Sequence, residues 1–272
     1  MPETPFFDQA APATARGRAR PDRLEGTVAL VTGASSGIGA ATAIALAAEG
    51  AAVAVAARRK DRLEELAAGL RERGGTVLVL ESDITDEQQA TDAVERTVAG
   101  LGRLDTLVNN AGVMLLGPAV GAPLPEWQRM VDLNVMGLLY CAQAALPHLL
   151  RAAADGPRRV ADMVNISSTA GRIARNGNAV YTLTKHGIGA FSEALRLEVT
   201  QRHVRVSLVE PGATATELAG HNRPEVLEAM RSQVAGMQPM EAEDIADMIA
   251  YIVTRPRHVA VNEVLIRPTE QA

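Results

Sequence analysis

The chain is poor in aromatic residues, in cysteine and in long apolar runs, and each shortage narrows what it can be. Phe, Trp and Tyr make up only 3% of its 272 residues, while apolar residues of all kinds make up 47%. A large core must therefore be assembled from Ala, Val, Leu and Ile, a composition that suits helices packed closely on a buried parallel sheet. The single cysteine, Cys141, rules out a disulfide framework within the chain and fits a reducing, cytoplasmic compartment. It lies in the apolar stretch GLLYCAQAAL and reads as a buried, inert thiol. His148, His186, His203, His221 and His258 are scattered, with no pair at metal-ligand spacing, so no metal site is expected. No uninterrupted apolar run reaches the ~18 residues that a membrane span needs, and no membrane partner is expected. The net charge of −5 does not supply the basic surface that nucleic acid requires. The first 24 residues are rich in proline and lack an apolar signal core. They read as a disordered, solvated tail, with a weak docking or tetramer-contacting arm around Arg16, Arg18, Arg20 and Arg23 as the alternative.

From Thr27 onward, short β-branched runs alternate with helical patterns. TVALVTG, AAVAVAA, TVLVLESD, LDTLVNNAG, RVADMVNISS, VRVSLVEPG and AVNEVLIRP read as seven strands. Helical patterns fill 37–50, 61–73, 86–101, 126–151, 178–202 and the stretch EAEDIADMIAYIVT, while 213–238 reads as irregular with helical potential. Parallel strands need crossover connections, and right-handed crossovers put helices on both faces. The expected fold is a single α/β domain over 25–272, a Rossmann-like doubly wound parallel sheet of about seven strands.

The first strand runs into Thr32-Gly33-Ala34-Ser35-Ser36-Gly37-Ile38-Gly39 and then a helix, the place where a dinucleotide pyrophosphate meets a helix N-terminus. Gly33 permits the tight turn, Gly37 lets backbone approach phosphate, Gly39 lets helix and strand pack closely, and Ser35 and Ser36 add hydroxyl donors. Further on, Tyr181 and Lys185 stand four residues apart in YTLTK, so a helix brings them to one face. A neighbouring ammonium favours phenolate and is expected to lower the tyrosine pKa toward the range useful for acid–base work. Ser168 ends the fifth strand, thirteen residues before Tyr181, where open α/β sheets build their sites.

The spacing G-x-x-x-G-x-G, the Asn109-Asn110-Ala111-Gly112 segment after the fourth strand, and Asn134, Ser168, Tyr181 and Lys185 in that order resemble the short-chain dehydrogenase/reductase family. The resemblance runs from about Gly26 to Pro268. It implies hydride exchange with a nicotinamide cofactor, bound by Gly33, Ser35, Ser36, Gly37, Ile38 and Gly39. Asp83 and Ile84 would lie against the adenine, Asn110 beside a ribose with Ala111 and Gly112, and Lys185 on the nicotinamide ribose next to Tyr181. Pro211, Gly212, Thr214 and Thr216 would wrap the carboxamide. Ser168 would orient a substrate carbonyl, Tyr181 would move the proton, and Asn134 would anchor a water connected to the lysine. Asp83 also reads as a helix cap.

Cofactor choice follows from charge. NAD-dependent relatives carry an acid at the end of the second strand, whereas here Ala57 stands in its place and Arg58 and Arg59 follow. A guanidinium fork favours a 2′-phosphate, so NADP(H) is expected over NAD(H), although Ser36 stands where many NADP-dependent relatives have a basic residue.

Met114, Leu115, Ser168, Arg172, Ile173, Asn178 and Leu218 are expected around the reacting carbon, mostly apolar and suited to a small carbonyl or alcohol. Segment 213–238 reads as a lid with Gly220, Asn222 and Pro224 as hinges or caps, and Arg172, Arg175 or Arg223 as candidates for a substrate carboxylate. The ending VLIRPTEQ resembles the subgroup that includes clavulanate dehydrogenase and enzymes acting on 3-hydroxy acids or serine. The family implies a homotetramer or homodimer through the helices at 126–151 and 178–202. A nucleotide-sensing protein on the same fold is the alternative function, weakened by the intact Ser168–Tyr181–Lys185 set. A C=C reductase is a third, with a different tyrosine–lysine spacing.

Overall fold

The computed structural model describes residues 23–233 and 236–271. Seven strands form the sheet: β1 (Val28–Thr32), β2 (Ala52–Ala57), β3 (Val77–Glu81), β4 (Thr106–Asn109), β5 (Ala161–Ile166), β6 (Val204–Pro211) and β7 (Glu263–Ile266). Their order is β3-β2-β1-β4-β5-β6-β7, every pair parallel. The order reverses between β1 and β4, so the crevice beyond their carboxyl ends is the ligand position of such a sheet. β1, β4, β5 and β6 are buried along their whole length, which is why they read as continuous apolar runs rather than alternating ones.

Helices α1 (Gly37–Ala48) and α2 (Lys60–Glu72) cover one face with a late helix at Ala242–Val253. Leu46, Leu63, Leu70, Ile245 and Ile249 fill that layer. Helix α3 (Glu87–Leu101) covers the other face with two long helical stretches, through Ala90, Val94, Cys141, Ala145, Leu149 and Leu195. With so few aromatics, alanines set the layer spacing. Cys141 is buried, and burial pushes its thiol up to about 12, as the inert reading required.

Several expectations need correction. The helix expected over 126–151 is α4 (Leu124–Val131), a π turn (Asp132–Gly137) and α5 (Leu138–Asp155). Joined, they make a 32-residue run that is long and apolar enough to cross a membrane by length and composition, although polar residues interrupt it. Here Leu138, Cys141, Ala142, Ala145 and Leu149 of this run are buried in the protein's own core. The helix expected over 178–202 is α6 (Ala179–Val199), ending in a 3-10 turn, Thr200–Arg202. Segment 213–238 carries a 3-10 turn, Glu217–His221, and α7 (Pro224–Gln233), while α8 is the late helix (Ala242–Val253). The cap of α3 is Asp86, whose side chain accepts from Gln89 N; Asp83 instead accepts from Thr85 within its own loop. The tail expected over 1–24 lies outside the described residues except for its last two. Arg23 pairs with Glu49 and Leu24 is buried in the core, so both belong to the fold.

Candidate active site

The turn between β1 and α1 is shaped by backbone that side chains would obstruct. Gly33 has φ +66, and a Cβ there would stand 2.7 Å from Ala111 Cα. A Cβ on Gly39 would stand 2.4 Å from Gly33 O. Close approach of helix and strand thus demands both glycines. Thr32 and Asn110 hold the turn from below. Asn110 Nδ2 donates to Thr32 O at 3.0 Å and Gly33 O at 3.3 Å, while Thr32 Oγ1 accepts from the backbone of Asn110 and Ala111. Asn110, assigned to a cofactor ribose by resemblance, spends its amide on the turn itself. Ile84 likewise turns into the core: a Cβ on Gly137 would meet its side chain at 3.0 Å.

Arg59 reaches back over this turn. Its guanidinium donates to Ser35 Oγ at 3.0 and 3.1 Å, to Ser36 Oγ at 2.8 Å and to Glu217 Oε2 at 2.8 Å. Arg58 points instead toward Asp83, 3.9 Å away. Sequence reading treated the two arginines as equivalent; the fold brings only Arg59 to the serines.

The residues expected to carry the acid–base chemistry meet at the carboxyl end of β5. Tyr181 and Lys185 lie on the first turns of α6, both buried. Lys185 Nζ sits 5.8 Å from the Tyr181 ring centre and donates to Ile166 O at 2.8 Å. Ser168 hydrogen-bonds to the Tyr181 phenol and accepts from Ala170 N. Ser167 Oγ donates to Lys185 O from behind, as expected of a packing residue. The electrostatics differ from expectation. Burial pushes the Tyr181 phenol up to about 12, against the downward pull of the Ser168 bond, and pushes Lys185 down to about 8. The ammonium is aimed at the Ile166 carbonyl rather than the phenol, so desolvation outweighs it.

Asn134 occupies the π turn. Its amide closes a two-way bridge with Val113, accepting from N at 2.8 Å and donating to O at 2.9 Å, and reaches Thr184 Oγ1 at 3.2 Å. Thr184 in turn donates to Tyr181 O at 2.7 Å. Asn134 therefore ties the loop after β4 to the helix carrying Tyr181 and Lys185. Thr184 was missed in the sequence, where it is an ordinary spacer in YTLTK. π turns often mark functional sites, and an Asn in mid-helix was the available signal.

Leu115 packs with Val113, Met130, Ala170 and Tyr181, with Met114 at the margin. Ile173 is half exposed. Asn178 precedes α6 and accepts from Thr182 N. Arg172 is already engaged: its guanidinium pairs with the buried carboxylate of Glu210 and with Glu263 at 2.8 Å. Arg223 lies 3.7 Å from Glu126 and 3.6 Å from Glu225. Asn222, expected as a hinge or cap, is a buried clamp that accepts from Leu116 N at 2.7 Å and donates to Met114 O at 2.9 Å. Pro211-Gly212-Ala213-Thr214 is pinned by Met240, which bridges Thr214, and by Gln271 Oε1 on Ala213 N. Thr216 Oγ1 caps the 3-10 turn that includes Leu218. Among the described residues no group of three or more His, Cys, Asp or Glu is arranged to hold a metal.

Known proteins share this fold. A family model described as short chain dehydrogenase matches residues 27–227. A glycine betaine reductase of Emericella nidulans is 41% identical over 248 residues, covering 91% of this chain but 19% of that protein, so the chain spans about a fifth of that relative. An uncharacterized oxidoreductase of Staphylococcus aureus (strain USA300) is 33% identical over 245 residues, 90% of this chain and 98% of its own. The closed form of serine dehydrogenase, complexed with NADP+, superposes with a TM-score of 0.82 at 29% identity, covering 90% of this chain and 96% of that one. The seven-stranded doubly wound sheet and the breadth of these matches lead to one conclusion: the chain belongs to the short-chain dehydrogenase family and is a dehydrogenase/reductase.

Proposed function

We propose that the chain is an NADP(H)-dependent carbonyl reductase, or the alcohol dehydrogenase of the reverse direction, in which Tyr181 is the general acid and base. The observation that carries this reading is the Ser168–Tyr181–Lys185 set, with Tyr181 and Lys185 buried, beside a glycine turn that Arg59 overlooks. The residues fit a bound dinucleotide: the glycine turn leads into the N-terminus of α1, and Arg59 with Ser35 and Ser36 forms the donor set of an anion site. Neighbouring structures such as serine dehydrogenase with NADP+ support the phosphorylated cofactor. Gly33, Gly37, Ile38 and Gly39 would hold the pyrophosphate, Arg59 the 2′-phosphate, and Pro211 to Thr216 the carboxamide end. Asp83, Ile84 and Asn110 stay proposed at the adenosine half, Ile84 through its backbone.

The bound nicotinamide supplies or accepts the hydride. Tyr181 supplies the proton. A phenol with its pKa near about 12 is fully protonated at neutral pH and so ready to donate to a carbonyl oxygen that becomes an alkoxide. Ser168, already bonded to the phenol, orients that oxygen. Lys185 stays largely cationic below about 8 and favours the phenolate left behind. Met114, Leu115, Ile173 and Leu218 would give the substrate pocket its apolar character, with Asn178 as a polar group beside them. A small or medium polar carbonyl, as in relatives acting on serine, suits this pocket. Leu183 and Leu197 stand exposed on α6 and support assembly through the long helices.

The test is a panel of ketones and aldehydes with oxidation of NADPH and NADH followed optically. Turnover that prefers NADPH and vanishes in Tyr181→Phe with cofactor affinity retained is the expected result. Full activity of Tyr181→Phe on a turned-over carbonyl would remove Tyr181 from the proton step.

A further inference from the structure

The anion site beside the phosphate turn already holds a carboxylate of the chain's own. Arg59 spends Nε and Nη2 on Ser35 and Ser36, and gives Nη1 to Glu217 Oε2 at 2.8 Å. The Ser36 hydroxyl bonds to the same carboxylate. A guanidinium edge and a hydroxyl converging on carboxylate oxygens is the donor set that a phosphate takes. The partners are 158 residues apart, so this is a tertiary tie between the end of β2 and the segment crossing the site. That segment lies close: Glu217 opens the 3-10 turn, and the methyl of Thr216 stands 3.1 Å from where a Cβ on Gly37 would be. A 2′-phosphate and Glu217 cannot share one guanidinium edge without like-charge repulsion.

We propose that Glu217 is an internal competitor for the 2′-phosphate of NADP(H), exchanged off Arg59 and Ser36 when that cofactor binds and left in place by NAD(H). The inference rests on the NADP(H) reading. It makes Glu217 a residue that sets cofactor discrimination, and it links the adenosine end of the cofactor to the segment expected to cover the substrate. The competition is modest in size, because Arg59 and Glu217 are 44% and 50% exposed and solvent screens the pair.

The test is calorimetric titration of the full chain with NADP+, NAD+ and adenosine 2′,5′-bisphosphate, a probe that carries the phosphate and no nicotinamide. Glu217→Gln should tighten NADP+ and the bisphosphate by about two- to fivefold and change NAD+ by less than about twofold, as loss of an exposed ion pair allows. Unchanged or weaker binding of NADP+ by Glu217→Gln overturns the competition. Arg59→Ala separates the two levels. If it weakens NADP+ selectively while Glu217→Gln is neutral, the competition alone fails. If it weakens NADP+ and NAD+ equally, the 2′-phosphate reading fails, and this inference with it. Hydrogen exchange gives an independent readout. The amides of Glu217–His221 should exchange faster with the bisphosphate than with 5′-AMP; equal rates overturn the proposal.

Discussion

The two walls of the cleft are built differently. The wall made by β1, β4 and β5 is set by backbone and buried polar bonds: Gly33 against Ala111, Thr32 and Asn110 across the turn, and Lys185 on Ile166 O. The wall made by 213–233 is held by a few ties, namely the side chains of Asn222 to the 114–116 loop and Glu217 to Arg59, and one backbone bridge between Thr214 and Met240. The first wall rests on steric fit and on bonds within the sheet, and the second on fewer, mostly side-chain, contacts. Covering loops of enzymes come from the weakly held end of a structure.

Variants on the two walls should therefore fail in different ways. The largest effect belongs to Tyr181→Phe, which should cut kcat by about 10²- to 10⁴-fold with little change in melting temperature or cofactor affinity. A comparable loss of cofactor affinity would make Tyr181 a structural part of the fixed wall. Gly33→Ala should come next. The left-handed backbone and the clash with Ala111 should destabilise the fold by about 1–3 kcal/mol and abolish cofactor binding, read by thermal melting and titration. Unimpaired binding would mean that the turn yields as easily as the covering segment.

Asn222→Ala sharpens the contrast from the other side. It removes three hydrogen bonds worth about 0.5–1.5 kcal/mol each, and should raise substrate KM by roughly tenfold and lower the melting temperature by a few degrees while kcat moves little. A kcat collapse instead would place the clamp in the chemistry. The smallest effect is electrostatic. Lys185 is held near about 8 against an ordinary 10.5, so its folded form binds fewer protons than the unfolded chain between those values. The cost of burying its charge is complete below about 8 and is relieved as pH rises toward 10.5. Wild-type protein should thus gain stability relative to Lys185→Met over that window, measured by melting at successive pH values. A flat difference would mean that Lys185 is better solvated than its burial implies.

Legibility in the sequence follows the same division. The strand segments, the glycine turn and the Tyr–Lys face were readable because periodicity, backbone sterics and local spacing dictate them, and each is a property of a few adjacent residues. Arg59 and Arg58 could not be told apart, because their difference depends on Glu217 and Asp83 from distant segments. Arg172 looked available to substrate, yet the buried Glu210 from β6 engages it. The phenol was expected to follow its lysine neighbour, but its pKa is governed by burial, which four-residue spacing does not report. Thr184 and Asn222 gained their roles only when loops from three parts of the chain met.

The π turn at Asp132–Gly137 also constrains what the chain can lose or gain in length. One surplus residue in a helix shifts its phase by about 100°, since an α-helix advances 3.6 residues per turn. Met130 on α4 and Leu138 on α5 are both buried across that slip. Removing one residue from the turn would restore an unbroken helix and swing one of those faces out of the core, carrying Asn134 away from Val113. The irregularity works as a phase adjuster: it lets a single long rod present one face to the pocket and another to the sheet, and it makes the segment intolerant of the small deletions that an ordinary surface helix absorbs.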